Sequence, residues 1–226
     1  MSNELVKPDF SQLPTSPMNP DEFKSLSDAK KYLQRIQLYT KGQAIDTGKI
    51  GPGQYGIPDG EDIESLGNEI DVLVFAVRAK AMDVSDPEDI RVSYSQKEPL
   101  YAEIVEGGGL FGPSFLVYER TKNEFFEMFF CNKSARKVAT TLYPFAPMGA
   151  EQAEQCGVEA HGPLAATLGV RYAKNKKGSW HVTTVKECKV PFTQEPDYEA
   201  AVKEVNKFYN PEAEEAGEED TRGRTR

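Results

Sequence analysis

IDVLVFAVRAKA, residues 70–81, is the stretch on which the fold turns. It is an apolar run rich in Val and Phe that passes into strict alternation at Val77, Ala79 and Ala81, the pattern of a β-strand. Working outward, SFLVYER (114–120), a polar turn at Thr121, Lys122 and Asn123, and EFFEMFFC (124–131) predict an antiparallel hairpin. A second hairpin is predicted from LAATLGVRYA (164–173) and SWHVTTVKECKVPF (179–192), joined at NKKG. Between the two lies NKSARKVATTLYPF, a helix with Ser134 as N-cap, Val138 and Leu142 on one face and Pro144 as its stop.

These five strands, with a helix between the third and the fourth, suit a small β-barrel of the OB type in a mainly β fold with a few helices. One domain is expected over residues 32–210. In it YLQRIQLYT (32–40) alternates Ile36 and Leu38 with Arg35 and Gln37, which favours a strand over a competing helix. TGKIGPGQYGIPDGED reads as loop, as do the acidic segment 83–112, ending in GGGLFGP, and residues 144–163. PDYEAAVKEVNKFY (196–209) places Tyr198, Val202, Val205 and Tyr209 at helical spacing after Pro196. Residues 1–31 form the expected flexible arm, with a short helix at 21–31, and PEAEEAGEEDTRGRTR (211–226) a disordered acidic tail.

The 226 residues carry a formal net charge of −9, which argues against a generic DNA binder. The charge is unevenly placed. In residues 115–194 Lys and Arg outnumber Asp and Glu by 11 to 7, and at a Debye length of about 8 Å such a region acts on phosphate locally. No apolar run is long enough to span a bilayer, and the N-terminus lacks the pattern of a signal peptide, so a cytoplasmic protein without a membrane partner is expected. Three cysteines, Cys131, Cys156 and Cys188, are expected as free thiols.

Chemistry-bearing motifs are sparse. GPGQYG (51–56) has the letters of a dinucleotide fingerprint, but Ile57, Pro58, Asp59 and Gly60 follow it where that motif needs a helix. Cys156 and His161, or His181 and Cys188, lack the close pairing of structural zinc ligands, and no base can be paired with Cys131. Asp83, Asp86, Glu88 and Asp89 have the composition of a solvated loop as much as of a Mg²⁺ site. No cofactor, metal or catalytic group is therefore expected.

YAKNKKGSWHV (172–182) stands out against this background. On the predicted hairpin, Arg171, Lys174, Lys176 and Lys177 gather at one end with Tyr172 and Trp180 beside the turn. Basic residues interleaved with aromatics match the row of charge and the exposed base faces of single-stranded nucleic acid. Arg120 and Lys122 at the other hairpin turn are expected to join them on one face. The tail carries six carboxylates and no basic residue in 212–220, and is expected to compete with DNA for that face.

YLQRIQLYTKGQAIDTGKIGPGQYGI (32–57), GPSFLVYER (112–120), the segment 124–145 ending in YPF, and HGPL…SWHV…KVPF (161–192) resemble a family of tailed-bacteriophage accessory proteins. The resemblance covers most of residues 32–192 and implies a non-enzymatic single-stranded-DNA-binding protein of the replication and recombination module, at work in the cytoplasm of an infected bacterium. Phage or host replication and recombination proteins, and further copies of the chain, are the implied partners. The tail departs from the acidic or aromatic tip usual in strand-binding proteins by ending TRGRTR. The competing expectation is a phage protein that inhibits or redirects a host protein through its acidic surface.

Overall fold

The computed structural model describes residues 33–86, 89–175, 178–190, 192 and 196–210. The elements in chain order are β1 (Gln37–Tyr39), α1 (Gln43–Asp46), β2 (Gln54–Asp59), β3 (Asp62–Gly67), β4 (Glu69–Asp83), β5 (Arg91–Ser93), α2 (Pro99–Glu106), β6 (Leu110–Glu119), β7 (Glu124–Phe129), α3 (Lys133–Ala139), a 3₁₀ turn (Tyr143–Phe145), α4 (Ala150–Cys156), β8 (Leu164–Asn175), β9 (Gly178–Glu187) and α5 (Tyr198–Tyr209). The mainly β composition holds, with two antiparallel sheets in place of a closed barrel.

The larger sheet has the order β7-β6-β4-β8-β9, with β5 added to the far end of β4; the smaller has the order β1-β2-β3. At 15 residues β4 is the central beam: β6 pairs along Val72–Met82 on one side, while β8 (at 69–74) and β5 (at 81–83) share the other. Its register with β6 shifts between Val74 and Ala76, which leaves Phe75 as an inserted residue. Residues beyond such a bulge change face. Ile70, Val72 and Val74 accordingly pack into the main core with Tyr55, Ile57, Phe115, Val117, Phe126 and Leu168, whereas Phe75 and Ala76 join a second cluster under α5.

That second cluster explains the C-terminal helix. Ala201, Val205, Phe208 and Tyr209 are buried at a helical period against Leu116 and Tyr118. Asp197 caps the helix by accepting from the Ala200 N–H at 3.2 Å. At the other end the Arg78 guanidinium donates to the Phe208 carbonyl, and the Tyr209 hydroxyl donates to the Val77 carbonyl at 3.3 Å. Burial pushes the Tyr209 phenol up to about 12.

Beneath the C-terminal end of α5 the sheet holds a charged cluster. Glu127 accepts from Lys80 at 2.6 Å, from Ser114 at 2.6 Å and from Arg78 at 3.4 Å. The Arg78 guanidinium lies 3.6 Å from the Tyr94 ring centre and 4.2 Å from that of Phe208. Burial pulls Lys80 below its ordinary value although Glu127 opposes this. Burial would raise Glu127, but its two cations and Ser114 outweigh that and hold it at about 2.

Several expectations need correction. Residues 47–62 were expected as loop, but the β2–β3 hairpin begins within them at Gln54, with Gly60 at φ 58° in its turn. Pro58 is tolerated because β1 pairs only with residues 54–56 of β2, so no ladder bond is asked of its nitrogen on that side. The segment 83–112 holds β5 and α2, and residues 144–163 hold α4. The cap of α3 is Asn132, which accepts from the Ala135 N–H at 2.8 Å, while Ser134 donates to the Asn132 side chain at 2.9 Å. The arm at 1–31 and the tail at 211–226 lie outside the described residues.

Although the barrel does not close, its walls come together on one side. Gln34 and Ile36 bond to the two backbone groups of Glu127, at 2.9 and 3.0 Å, and so attach the start of the small sheet to the β7 edge in parallel. The sheets thus wrap around one core from β9 through β7 to β3. The open seam falls between β9 and the β1–β7 junction.

Candidate nucleic-acid interface

A cleft of about 440 Å³ occupies that seam. One wall is Trp180–Thr183 of β9, another is Ile36–Leu38 with Thr40 and Lys41, and the floor and far side are Met128–Ala135, running from the end of β7 into α3. Trp180 and His181 are half-buried, while Lys41 and Lys133 are exposed. Among the described residues the lining contains two lysines and no carboxylate, in a chain with 36 acidic residues. Apolar and aromatic walls with a few convergent polar groups are the composition of a ligand site.

The GPGQYG segment, spare in the sequence, positions the β9 wall. Gly53 has φ 78°, and a Cβ there would stand 2.7 Å from the His181 ring, so only glycine lets this loop press against the strand. Two residues on, the Tyr55 hydroxyl donates to the Gly169 carbonyl at 3.2 Å and meets the Thr183 hydroxyl at 3.0 Å. Burial pushes the Tyr55 phenol upward, so it stays protonated as the donor. Together these contacts hold the β8–β9 ribbon where it runs on past Gly169, the last β8 residue paired with β4.

Along this ribbon direct cross-strand partners share a face. Tyr172 pairs with His181 and Lys174 with Ser179, whereas Ala173 pairs with Trp180 and Arg171 with Val182. The tyrosine and the tryptophan therefore sit on opposite faces, not side by side as expected. Tyr172 is 62% exposed and packs edge-on to His181 at 5.4 Å. Arg171 and Lys174 are exposed and form no ion pair among the described residues, one on each face. Lys176 and Lys177 lie outside the described residues.

Arg120 and Lys122 stand at the turn between β6 and β7, at the same end of the sheet as the ribbon. Both are already engaged. Arg120 is 3.0 Å from Asp71 and Lys122 is paired with Glu64. Burial would raise Asp71, but hydrogen bonds from Thr167 at 2.6 Å and from Arg120 hold it below the ordinary carboxylate value. The basic turn is thus anchored to the neighbouring strands.

Of the expected residues that are described, then, only Trp180 lines the cleft, with Arg171, Tyr172 and Lys174 on the ribbon that supplies its wall. Lys41 and Asn132 were not expected there, since nothing local in the sequence shows that residues 36–41 and 128–135 meet β9. Among the described residues no group of three or more His, Cys, Asp or Glu side chains is placed to hold a metal, and no helix is long and apolar enough to cross a membrane. In comparisons with family models, with curated proteins and with solved structures, nothing matches this chain.

Proposed function

We propose that the protein is a non-enzymatic binder of single-stranded DNA, acting through the seam cleft and the ribbon beside it. The observation that carries this is, among the described residues, a lining with half-buried Trp180 and two exposed lysines and without a carboxylate, on a molecule of net charge −9. Stacking on a ring contributes about 1–3 kcal/mol per base, and each neutralised phosphate adds affinity that salt removes. Arg171 and Lys174 add one cation on each face of the ribbon, Tyr172 offers a second ring on the face opposite Trp180, and Arg120 and Lys122 are secondary because their charges are already met. Service in phage replication and recombination, with the tail as competitor, rests on the sequence resemblance and on the tail's six unmatched carboxylates.

Titration with a dT20 strand at two salt concentrations tests this, because Trp180 is the sole tryptophan. Quenching that weakens steeply with salt is expected. A flat titration at low salt removes the proposal.

A further inference from the structure

We infer that the seam cleft takes a single unstacked nucleotide, flanked by a phosphate on either side, and does not carry a continuous stacked strand; this deepens the single-strand reading and rests on it. A volume of about 440 Å³ falls in the lower part of the range of roughly 300–1,000 Å³ that encloses one drug-sized ligand, and a mononucleotide is of that size. A run of stacked bases does not fit in it. A base still paired in a duplex cannot enter either, so only an unpaired or extruded nucleotide qualifies.

The lining is matched to such a guest. Half-buried Trp180 supplies ring surface from one wall, as flipped-base pockets do, while Phe130, buried against Phe115, closes the floor. The Asn132 side-chain oxygen is occupied by the Ala135 N–H and the Ser134 hydroxyl, which leaves its amide N–H groups to donate to a base carbonyl. Gln37 and Thr40 add further polar groups from the β1 wall. Lys41, just past β1, and Lys133, at the start of α3, are both exposed and border the cleft from different elements. Two cations on separate walls suit two phosphates, one entering and one leaving.

The test uses the full chain with thymidine 5′-monophosphate, thymidine 3′,5′-bisphosphate and dT20, read by Trp180 fluorescence and calorimetry. The bisphosphate is expected to quench Trp180, to displace dT20 and to bind about tenfold more tightly than the monophosphate. Lys41→Gln and Lys133→Gln, both changes of exposed side chains, are each expected to abolish most of that tenfold gain. If dT20 binds while neither small nucleotide quenches or competes, the strand lies across the surface, and this inference falls while the proposed function stands. Equal binding of the two nucleotides overturns the two-phosphate arrangement. Failure of dT20 as well removes both readings.

Discussion

Replacing Glu127 by glutamine keeps the shape of the buried cluster and removes the one carboxylate it holds among the described residues. The Glu127 side chain is 4% exposed, and Lys80 and Arg78 beside it are 5% and 7% exposed. Both cations would lose the Glu127 charge in a site where water cannot replace it. Losing one partner of such a buried arrangement costs about 3–5 kcal/mol. An independent route gives a similar figure. Glu127 titrates at about 2 in the folded chain against an ordinary 4.5, and at 1.36 kcal/mol per unit the difference is about 3 kcal/mol, offset in part by the cost of burying charged Lys80. Because the folded value is the lower one, this stabilisation is complete above pH 4.5 and is lost as pH falls towards 2. With a urea dependence of about 2 kcal/mol per M, Glu127→Gln should lower the unfolding midpoint at pH 7 by about 1.5–2.5 M. It should also flatten the acid limb of the stability profile between those pH values. Circular dichroism melts in urea from pH 2 to 7 measure both. A midpoint shift below about 0.5 M, or an unchanged acid limb, would refute the account of two cations held by one carboxylate.

Tyr55→Phe should cost about 1–2 kcal/mol in urea unfolding, because the Gly169 carbonyl and the Thr183 hydroxyl lose a buried partner. Gly53→Ala should weaken dT20 binding and speed amide exchange in residues 179–184, since its Cβ would push His181 and the ribbon with it. Arg171→Gln and Lys174→Gln should each reduce the slope of log affinity against log salt by about one, while Arg120→Gln and Lys122→Gln should change it far less, their charges being matched by Asp71 and Glu64. Removing residues 211–226 should tighten dT20 binding at low salt, and an unchanged affinity would rule out tail competition.

The parts legible in the sequence were those whose periodicity is local. Residues 70–81, the two hairpins and α5 stand where the pattern puts them, because each buries its apolar residues at the spacing of its own backbone. The β2–β3 hairpin was obscured because glycine and proline dominate it, although Tyr55 and Ile57 alternate and Asp59-Gly60 marks its turn. Helix α4 was hidden because only Ala153 of its seven residues is buried, so it shows no apolar stripe. The site was half legible. Its tryptophan was recognisable by type and neighbours, but the cleft is made by chain segments about 50 to 140 positions apart, and the split of Tyr172 from Trp180 follows from pairing register, which composition does not encode.

Phe75 has a consequence for how this chain tolerates change. Because it is one residue too many in β4, Arg78 and Lys80 follow Val74 at even spacing yet lie on the side of Ser114, away from the main core. Removing that one position would make Val74–Val117 and Ala76–Leu116 consecutive pairs of a regular ladder, so Val77, Ala79 and Ala81 would keep facing the core and Arg78 and Lys80 the helix. Flattening the bulge with Phe75 still in place, by contrast, would swing both cations into the hydrocarbon interior. The face shown by the second half of this strand is thus set by one residue standing outside the ladder, whose loss the pairing tolerates better than its absorption.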